Sequence, residues 1–136
     1  MPVGVEDINA IPDARITASV FQNSDTYPYY GRLNQRRVAG AWCPRSNRDR
    51  RDYLQVDMGA VHFVCAVATQ GLRDYKDWTT SYKLRISLNG VTWNSYRENN
   101  VEKVCDERIE IIFLLLKTIV VKHTPKHARR REHNWT

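Results

Sequence analysis

Long hydrophobic runs, paired cysteines and catalytic signatures are what this sequence lacks. Its most apolar stretch, Ile109 to Val121, covers thirteen residues and is interrupted by Glu110 and Lys117. A helix needs roughly 20 apolar residues to cross a bilayer, so a buried strand pair or a helix is expected there instead. Met1 to Ala10 carries acidic residues and no positive start followed by an apolar run, so it does not read as a secretory leader. Two readings follow: an intracellular chain, or a piece of a longer secreted precursor. The three cysteines, Cys43, Cys65 and Cys105, are irregularly spaced. They make no disulfide framework and no C-x-x-C zinc signature, and they leave the redox compartment open. Gly-x-Ser-x-Gly, His-Glu-x-x-His and a phosphate-cradling glycine loop are all missing, which removes the commonest hydrolase, metalloprotease and nucleotide-binding readings. Of the histidines, His62 is isolated, while His123, His127 and His133 lie among Lys and Arg. Those cations repel a metal, and no carboxylate or cysteine pair completes a site. Neither a metal, a cofactor nor catalysis is expected.

What is present is an ordinary amount of core material in 136 residues, 42% of them hydrophobic, which argues against disorder and for one domain with one core. Val, Ile, Thr and Tyr recur in short runs, side chains that suit a pleated surface. The formal net charge is +6, gathered in Arg36, Arg37, Arg45, Arg48, Arg50 and Arg51 and again in Lys122, Lys126, Arg129, Arg130 and Arg131. Such clusters favour phospholipid head groups, sulfated glycans or nucleic acid; the plainer reading is a solvated face. A nucleic-acid binder would lose affinity steeply with salt and would need Arg129 to Arg131. No nucleic-acid motif accompanies them, so nucleic acid is not an expected partner.

Periodicity places the strands. Arg15 to Ser19 alternates polar and apolar residues, and Leu54, Val56 and Met58 share a face opposite Gln55 and Asp57 before Gly59 stops the run. Phe63 to Thr69 is nearly continuous in apolar residues, as in a strand buried on both sides. In Ser81 to Leu88, Tyr82, Leu84, Ile86 and Leu88 face inward and Lys83, Arg85 and Ser87 outward. Asn89-Gly90 then predicts a type I′ hairpin turn, with Val91 to Tyr96 returning and Trp93 and Tyr96 packing. Gly31 to Pro44 has no clean period and reads as a long structured loop holding Trp42. Short strands between turns, without a convincing amphipathic helix before residue 100, argue for an antiparallel sandwich or barrel.

Six segments in order carry more information than their periodicity: Ile11-Pro12-Asp13-Ala14-Arg15-Ile16-Thr17-Ala18-Ser19, Tyr29-Tyr30-Gly31-Arg32-Leu33-Asn34, Gly40-Ala41-Trp42-Cys43-Pro44, Tyr53-Leu54-Gln55-Val56-Asp57-Met58-Gly59, Val67-Ala68-Thr69-Gln70-Gly71 and Thr80-Ser81-Tyr82-Lys83-Leu84. In this order and spacing the chain resembles the discoidin, or coagulation factor V/VIII type C, domain family over residues 3–100, with 101–136 divergent. The resemblance implies one all-β domain over 1–136, a jelly-roll-like antiparallel β-sandwich. It also implies a non-catalytic module of extracellular or cell-surface adhesion proteins that binds anionic phospholipid, carbohydrate or a cell-surface or matrix protein.

In such domains hairpin loops called spikes project from one end of the sandwich, where a stiff scaffold can expose aromatic and basic groups without disturbing its core. By position the spikes here are Val20 to Tyr27, Gln35 to Gly40 and Leu72 to Trp78. The candidate ligand-binding residues are Phe21 and Tyr27 as apolar wedges or stacking surfaces, and Arg36, Arg37, Arg73 and Lys76 against phosphate or sulfate. Asn23, Asp25 and Asp77 are hydrogen-bonding partners for sugar hydroxyls, and Tyr75 is a further spike residue. Trp42, Trp78 and Trp93 are expected in the packed body, and Asp57 is read as a fold-stabilising hydrogen-bonder. Collagen-binding receptors of the family carry an acidic residue before Gly-Ala-Trp-Cys and an Arg directly after Thr-Gln-Gly. Ala39 and Leu72 stand there, with Arg73 one step late, which weakens the fit to collagen.

The family's pattern also ties Cys43 to a cysteine in a late loop. Cys105 is the late candidate, in an unlike local context, and Cys65 reads as a buried thiol. The cysteines that usually join the two termini are absent, and the closing strands survive only in scraps such as Val120-Val121-Lys122-His123. A terminal disulfide contributes about 2–5 kcal/mol in domains whose total stability is about 5–15. The isolated chain is therefore expected to be a fragment or an imperfect gene model that folds poorly alone. Thermal unfolding followed by circular dichroism tests this: a cooperative transition above about 50 °C would refute it.

Overall fold

Strand alternation sets the scaffold. The computed structural model describes residues 4–45, 51–67, 70, 79, 81–102, 104–106 and 110–124, with 63–66, 104–106 and 110–124 described by their backbone alone. Strand β1 is Ile16–Ala18, with Ile16 buried and Thr17 exposed, and β2 is Tyr53–Val67. Strands β3 (Ser81–Ser87), β4 (Asn94–Ser95), β5 (Arg97–Glu98), β6 (Val101–Glu102), β7 (Val104–Asp106) and β8 (Glu110–Thr124) follow. Among the described residues there is no α-helix, only short 3-10 turns at Asp13–Arg15, Ser24–Thr26 and Pro28–Gly31.

The strands make a six-stranded antiparallel sheet in the order β1-β2-β8-β3-β4, with β7 also on β3, and a two-stranded ribbon of β5 and β6. The register gives the main sheet two distinct ends. Tyr53, Lys122 and Lys83 lie side by side at one, where Ala18 pairs with Leu54 and the chain runs on into loop 20–27. Asp57, Thr118 and Ser87 lie at the other, which carries the exposed Leu88 and Val91. The core gathers Ile11, Ile16, Val56 and Met58, with Val5, Tyr29, Leu54, Val67 and Ile86 packed against them; Tyr82 and Leu84 are also fully buried. These are the faces that alternation assigned in β2 and β3, as expected when successive side chains point to opposite sides.

Four expectations are corrected. Gly59 does not stop a strand: β2 runs through it to Val67, so the two runs read as separate strands are one strand that changes course. Its pairing with β8 shifts between Asp57 and His62, Gly59 adopts φ +76°, and the Asp57 carboxylate accepts the Gly59 N–H at 2.8 Å, the fold-stabilising bond anticipated for Asp57. An extra residue in αL geometry bends a strand in this way. The Asn89-Gly90 turn is not type I′, because Gly90 has positive φ and Asn89 does not. Instead Asn89 Oδ1 accepts the N–H groups of Val91 and Thr92, while Ser87 Oγ accepts those of Asn89 and Gly90. This wider loop leaves Leu88 58% exposed rather than inward, puts Ser87 inside, and shortens the returning strand to β4. Finally, the late segment supplies a strand: β8 lies between β2 and β3. A strand with neighbours on both edges suits a nearly uninterrupted apolar run. Of the strand expected at 63–69, Ala68 and Thr69 lie outside the described residues.

A Cβ on Gly59 would sit 1.7 Å from an Arg15 guanidinium nitrogen, in a backbone conformation that L side chains avoid. Gly59→Ala is expected to lower stability by about 1–2 kcal/mol, measured as a shift in urea midpoint; an unchanged midpoint would remove the bend from the list of required features.

Candidate ligand-binding site

Loop 20–27 begins where β1 ends. Its base is fixed from the segment holding Trp42: the Trp42 indole N–H donates to the Val20 carbonyl at 2.8 Å, and the Gln22 N–H donates to the Cys43 carbonyl at 3.0 Å. Within the loop, Asn23 caps the turn at Ser24–Thr26. Asn23 Oδ1 accepts the Asp25 N–H, and Thr26 Oγ1 accepts the Asn23 N–H, a reciprocal arrangement that satisfies otherwise orphaned donors. Asn23 therefore has its carbonyl oxygen committed to the loop, whereas Asp25 projects to solvent. Phe21 is 37% exposed and meets Tyr27 edge-on, with ring centroids 4.8 Å apart.

Tyr27 leads to aromatic neighbours outside the predicted spike loops. It lies 5.5 Å from Tyr29 and 6.1 Å from Tyr30, which meet each other edge-on at 4.8 Å. The four rings form a continuous shelf. Burial, then Tyr30 and Tyr27, push the Tyr29 phenol above its ordinary pKa, so it stays a neutral hydrogen-bonding group. The Tyr29-Tyr30 pair was visible in the sequence as part of a family-like segment; its alignment with Phe21 was not.

The second loop closes on the same shelf. Gln35 Oε1 accepts the N–H groups of Arg36 and Arg37, and the Gly40 N–H donates to the Arg37 carbonyl. Gly40 has φ +68°, and a Cβ there would lie 2.7 Å from the Gln35 carbonyl, so only glycine closes this turn without displacing it. Val38, at φ 49° and 54% exposed, forms an apolar tip. Arg37 lies 5.7 Å and 5.6 Å from the ring centroids of Tyr29 and Tyr30, within cation–π range. Arg36 is exposed. Asn34 joins this loop to the next, donating its N–H to Gln70 Oε1 at 2.8 Å and its side-chain amide to Glu6. The third loop itself, with Leu72, Arg73, Tyr75, Lys76, Asp77 and Trp78, lies outside the described residues. So does the side chain of Cys105, the candidate partner of half-buried Cys43.

An ion cluster anchors the second loop through Arg37. Arg32 is buried, its side chain 2% exposed, and it donates to Asp13 and to the carbonyls of Val5 and Ile11. Asp13 also accepts from Arg37 through both guanidinium Nη atoms at 3.2 Å. Burial raises the cost of charge on Asp13, but the hydrogen bonds and charges of Arg32 and Arg37 outweigh it and hold its pKa below the ordinary 3.8. Removing one member of a buried pair typically costs about 3–5 kcal/mol, because the other charge is stranded.

A shelf of rings with flanking cations thus stands on loops at one end of the sheet; among the described residues no His, Cys, Asp or Glu cluster could hold a metal ion. The model of the F5/8 type C domain matches residues 15–130. The chain belongs to the F5/8 type C domain family. The match runs through the late segment in which the sequence motifs fade. Sus scrofa lactadherin is 36% identical over 105 residues, covering 71% of this chain and 25% of the lactadherin, and Rattus norvegicus lactadherin is 37% identical over 111 residues, covering 76% and 26%. Discoidin II of Dictyostelium discoideum shares the fold, with a TM-score of 0.69 and 23% identity over 81% of this chain and 49% of its own. The family 32 CBM from C. perfringens NanJ, solved in complex with galactose, superposes with a TM-score of 0.51 and 19% identity, covering 86% and 87% of the two chains. This F5/8 type C domain thus spans about a quarter of the length of the lactadherins it matches and about half of discoidin II.

Because Asp13 titrates lower folded than unfolded, its contribution to stability is fully present above its ordinary value of 3.8 and disappears as pH falls through the depressed folded value. Urea midpoints measured at pH 6, 4 and 3 are expected to hold between the first two and fall sharply at the third. In Asp13→Asn the part of that acid loss owed to this group should vanish, and an equal fall in both proteins would overturn the assignment.

Proposed function

We propose that this F5/8 type C domain is a non-catalytic binding module, a jelly-roll sandwich set in a longer extracellular adhesion protein. It recognises anionic phospholipid through loops 20–27 and 35–40. The observation that carries this reading is the joining of two loop tips by one aromatic shelf: exposed Phe21 at one end, exposed Val38 beside Arg36 at the other. Apolar side chains that enter the acyl boundary contribute in proportion to buried area. Each cation at an anionic leaflet adds about 1 kcal/mol. Neither term alone anchors a protein; together at one rim they do. Membership in the family and identity to the lactadherins support the same reading. The reading requires no cofactor. Arg73, Tyr75, Lys76 and Asp77 remain proposed contributors on the third loop, and the Cys43–Cys105 bridge a proposed brace.

Carbohydrate is the second reading, and the aromatic shelf favours it. Half-buried Tyr27, Tyr29 and Tyr30 carry rings and hydroxyls of the kind that contact a sugar, with Asp25 projecting from the same loop as Tyr27.

Flotation with phosphatidylserine-containing and pure phosphatidylcholine vesicles, beside a glycan array, separates the two. Binding is expected only with phosphatidylserine, and Phe21→Ala with Val38→Ala should weaken it about tenfold while leaving the melting curve in place. Equal binding to both vesicle types, or glycan binding alone, would reject the phospholipid reading.

A further inference from the structure

Adjacent arginines on an exposed loop look interchangeable in sequence, but Arg36 and Arg37 have different surroundings. Resting on the phospholipid reading above, we propose that they have separate duties: Arg36 takes the lipid phosphate, while Asp13 withholds Arg37 from the ligand and makes it a structural brace.

The Arg37 side chain is 45% exposed, so water reaches it. Its guanidinium is nevertheless engaged on two sides. Nη1 and Nη2 both donate to the Asp13 carboxylate, and the same group lies near the faces of Tyr29 and Tyr30. A phosphate arriving at Arg37 would exchange one anion for another and disturb the cation–π contact, so little net attraction remains. Asp13 cannot simply swing away, because it also neutralises buried Arg32. Releasing it would strand a cation in the interior, which is costly. The clamp on Arg37 is thus fixed from below.

Arg36 has none of these engagements. Its backbone N–H goes to Gln35 Oε1, its side chain is exposed, and among the described residues no carboxylate pairs with it. It stands next to Arg37 and two residues before the exposed Val38, so a head group that meets this apolar tip finds an uncommitted guanidinium beside it. A planar fork matches a phosphate diester through paired N–H groups.

The test combines two variants with a direct spectroscopic probe. Arg36→Gln should bind phosphatidylserine vesicles about fivefold more weakly than the parent, with an unchanged melting temperature. Arg37→Gln should lower the melting temperature by about 4 °C while vesicle affinity per folded molecule stays within about twofold. In the parent protein, titration with soluble glycerophosphoserine should move the Arg36 Nε–Hε resonance and leave those of Arg32 and Arg37 in place; movement with vesicles but not with the soluble head group would assign recognition to the assembled membrane. Parent binding that survives Arg36→Gln but is lost in a fully folded Arg37→Gln would overturn the division of labour and leave the phospholipid reading intact. A parent that fails to bind phosphatidylserine vesicles at all would overturn both.

Discussion

The contact between Asp13 and Arg32 is the constraint on which the rest of the site depends. Arg32 brings a full positive charge inside the protein, where an unpaired charge is untenable, and Asp13 answers it together with the carbonyls of Val5 and Ile11. That single cluster fastens the N-terminal segment, the turn preceding β1 and the entrance to loop 35–40 to one another. Because Asp13 has a second face, the cluster extends outward to Arg37 and, through it, to Tyr29 and Tyr30. A buried electrostatic requirement thereby sets the position of a half-buried aromatic surface. The same need explains why the Asp13 carboxyl stays ionised to lower pH than an ordinary aspartate.

The sheet contributes stiffness and direction. β8 lies between β2 and β3, so the end at Tyr53, Lys122 and Lys83 is held across three strands before the chain leaves β1 for loop 20–27. Trp42 then fixes the loop base through its bond to the Val20 carbonyl. Loops braced in this way can present polar and aromatic groups at small cost in ordering, which is what a recognition surface needs. The opposite end carries the Asn89-centred loop with exposed Leu88 and Val91.

Much of the scaffold was legible in the residues. Leu54, Val56 and Met58, and likewise Tyr82 and Leu84, declare their inward face by alternation, and the six ordered segments carry the family. Other features were illegible for definite reasons. A glycine after an alternating run marks a stop and a bend equally well, and Gly59 proved to be a bend because Asp57 and the β8 register support one. Leu88 keeps the strand's period but sits where the chain has already turned away. The late apolar run hid a sheet strand because both helix and strand tolerate such a run, and its partners lie far off in sequence. The Asn23 oxygen caps its own turn, a bond that the residue's place in an irregular loop does not announce.

By itself, then, the sequence determined the inward residues Leu54, Val56 and Met58 of β2 and Tyr82 and Leu84 of β3, the family and the excess of basic charge, since these depend on side-chain order along the backbone and on simple counting. The tertiary structure decided which charges are already answered. Arg36 and Arg37 are one residue apart and chemically identical, and only the through-space approach of Asp13, more than twenty positions earlier, tells them apart. It likewise decided that Phe21, Tyr27, Tyr29 and Tyr30 make one shelf rather than scattered aromatics. Strand patterning is a local rule of backbone geometry, whereas ion pairing and ring packing fall off steeply with distance and acquire their values only after the chain has closed on itself.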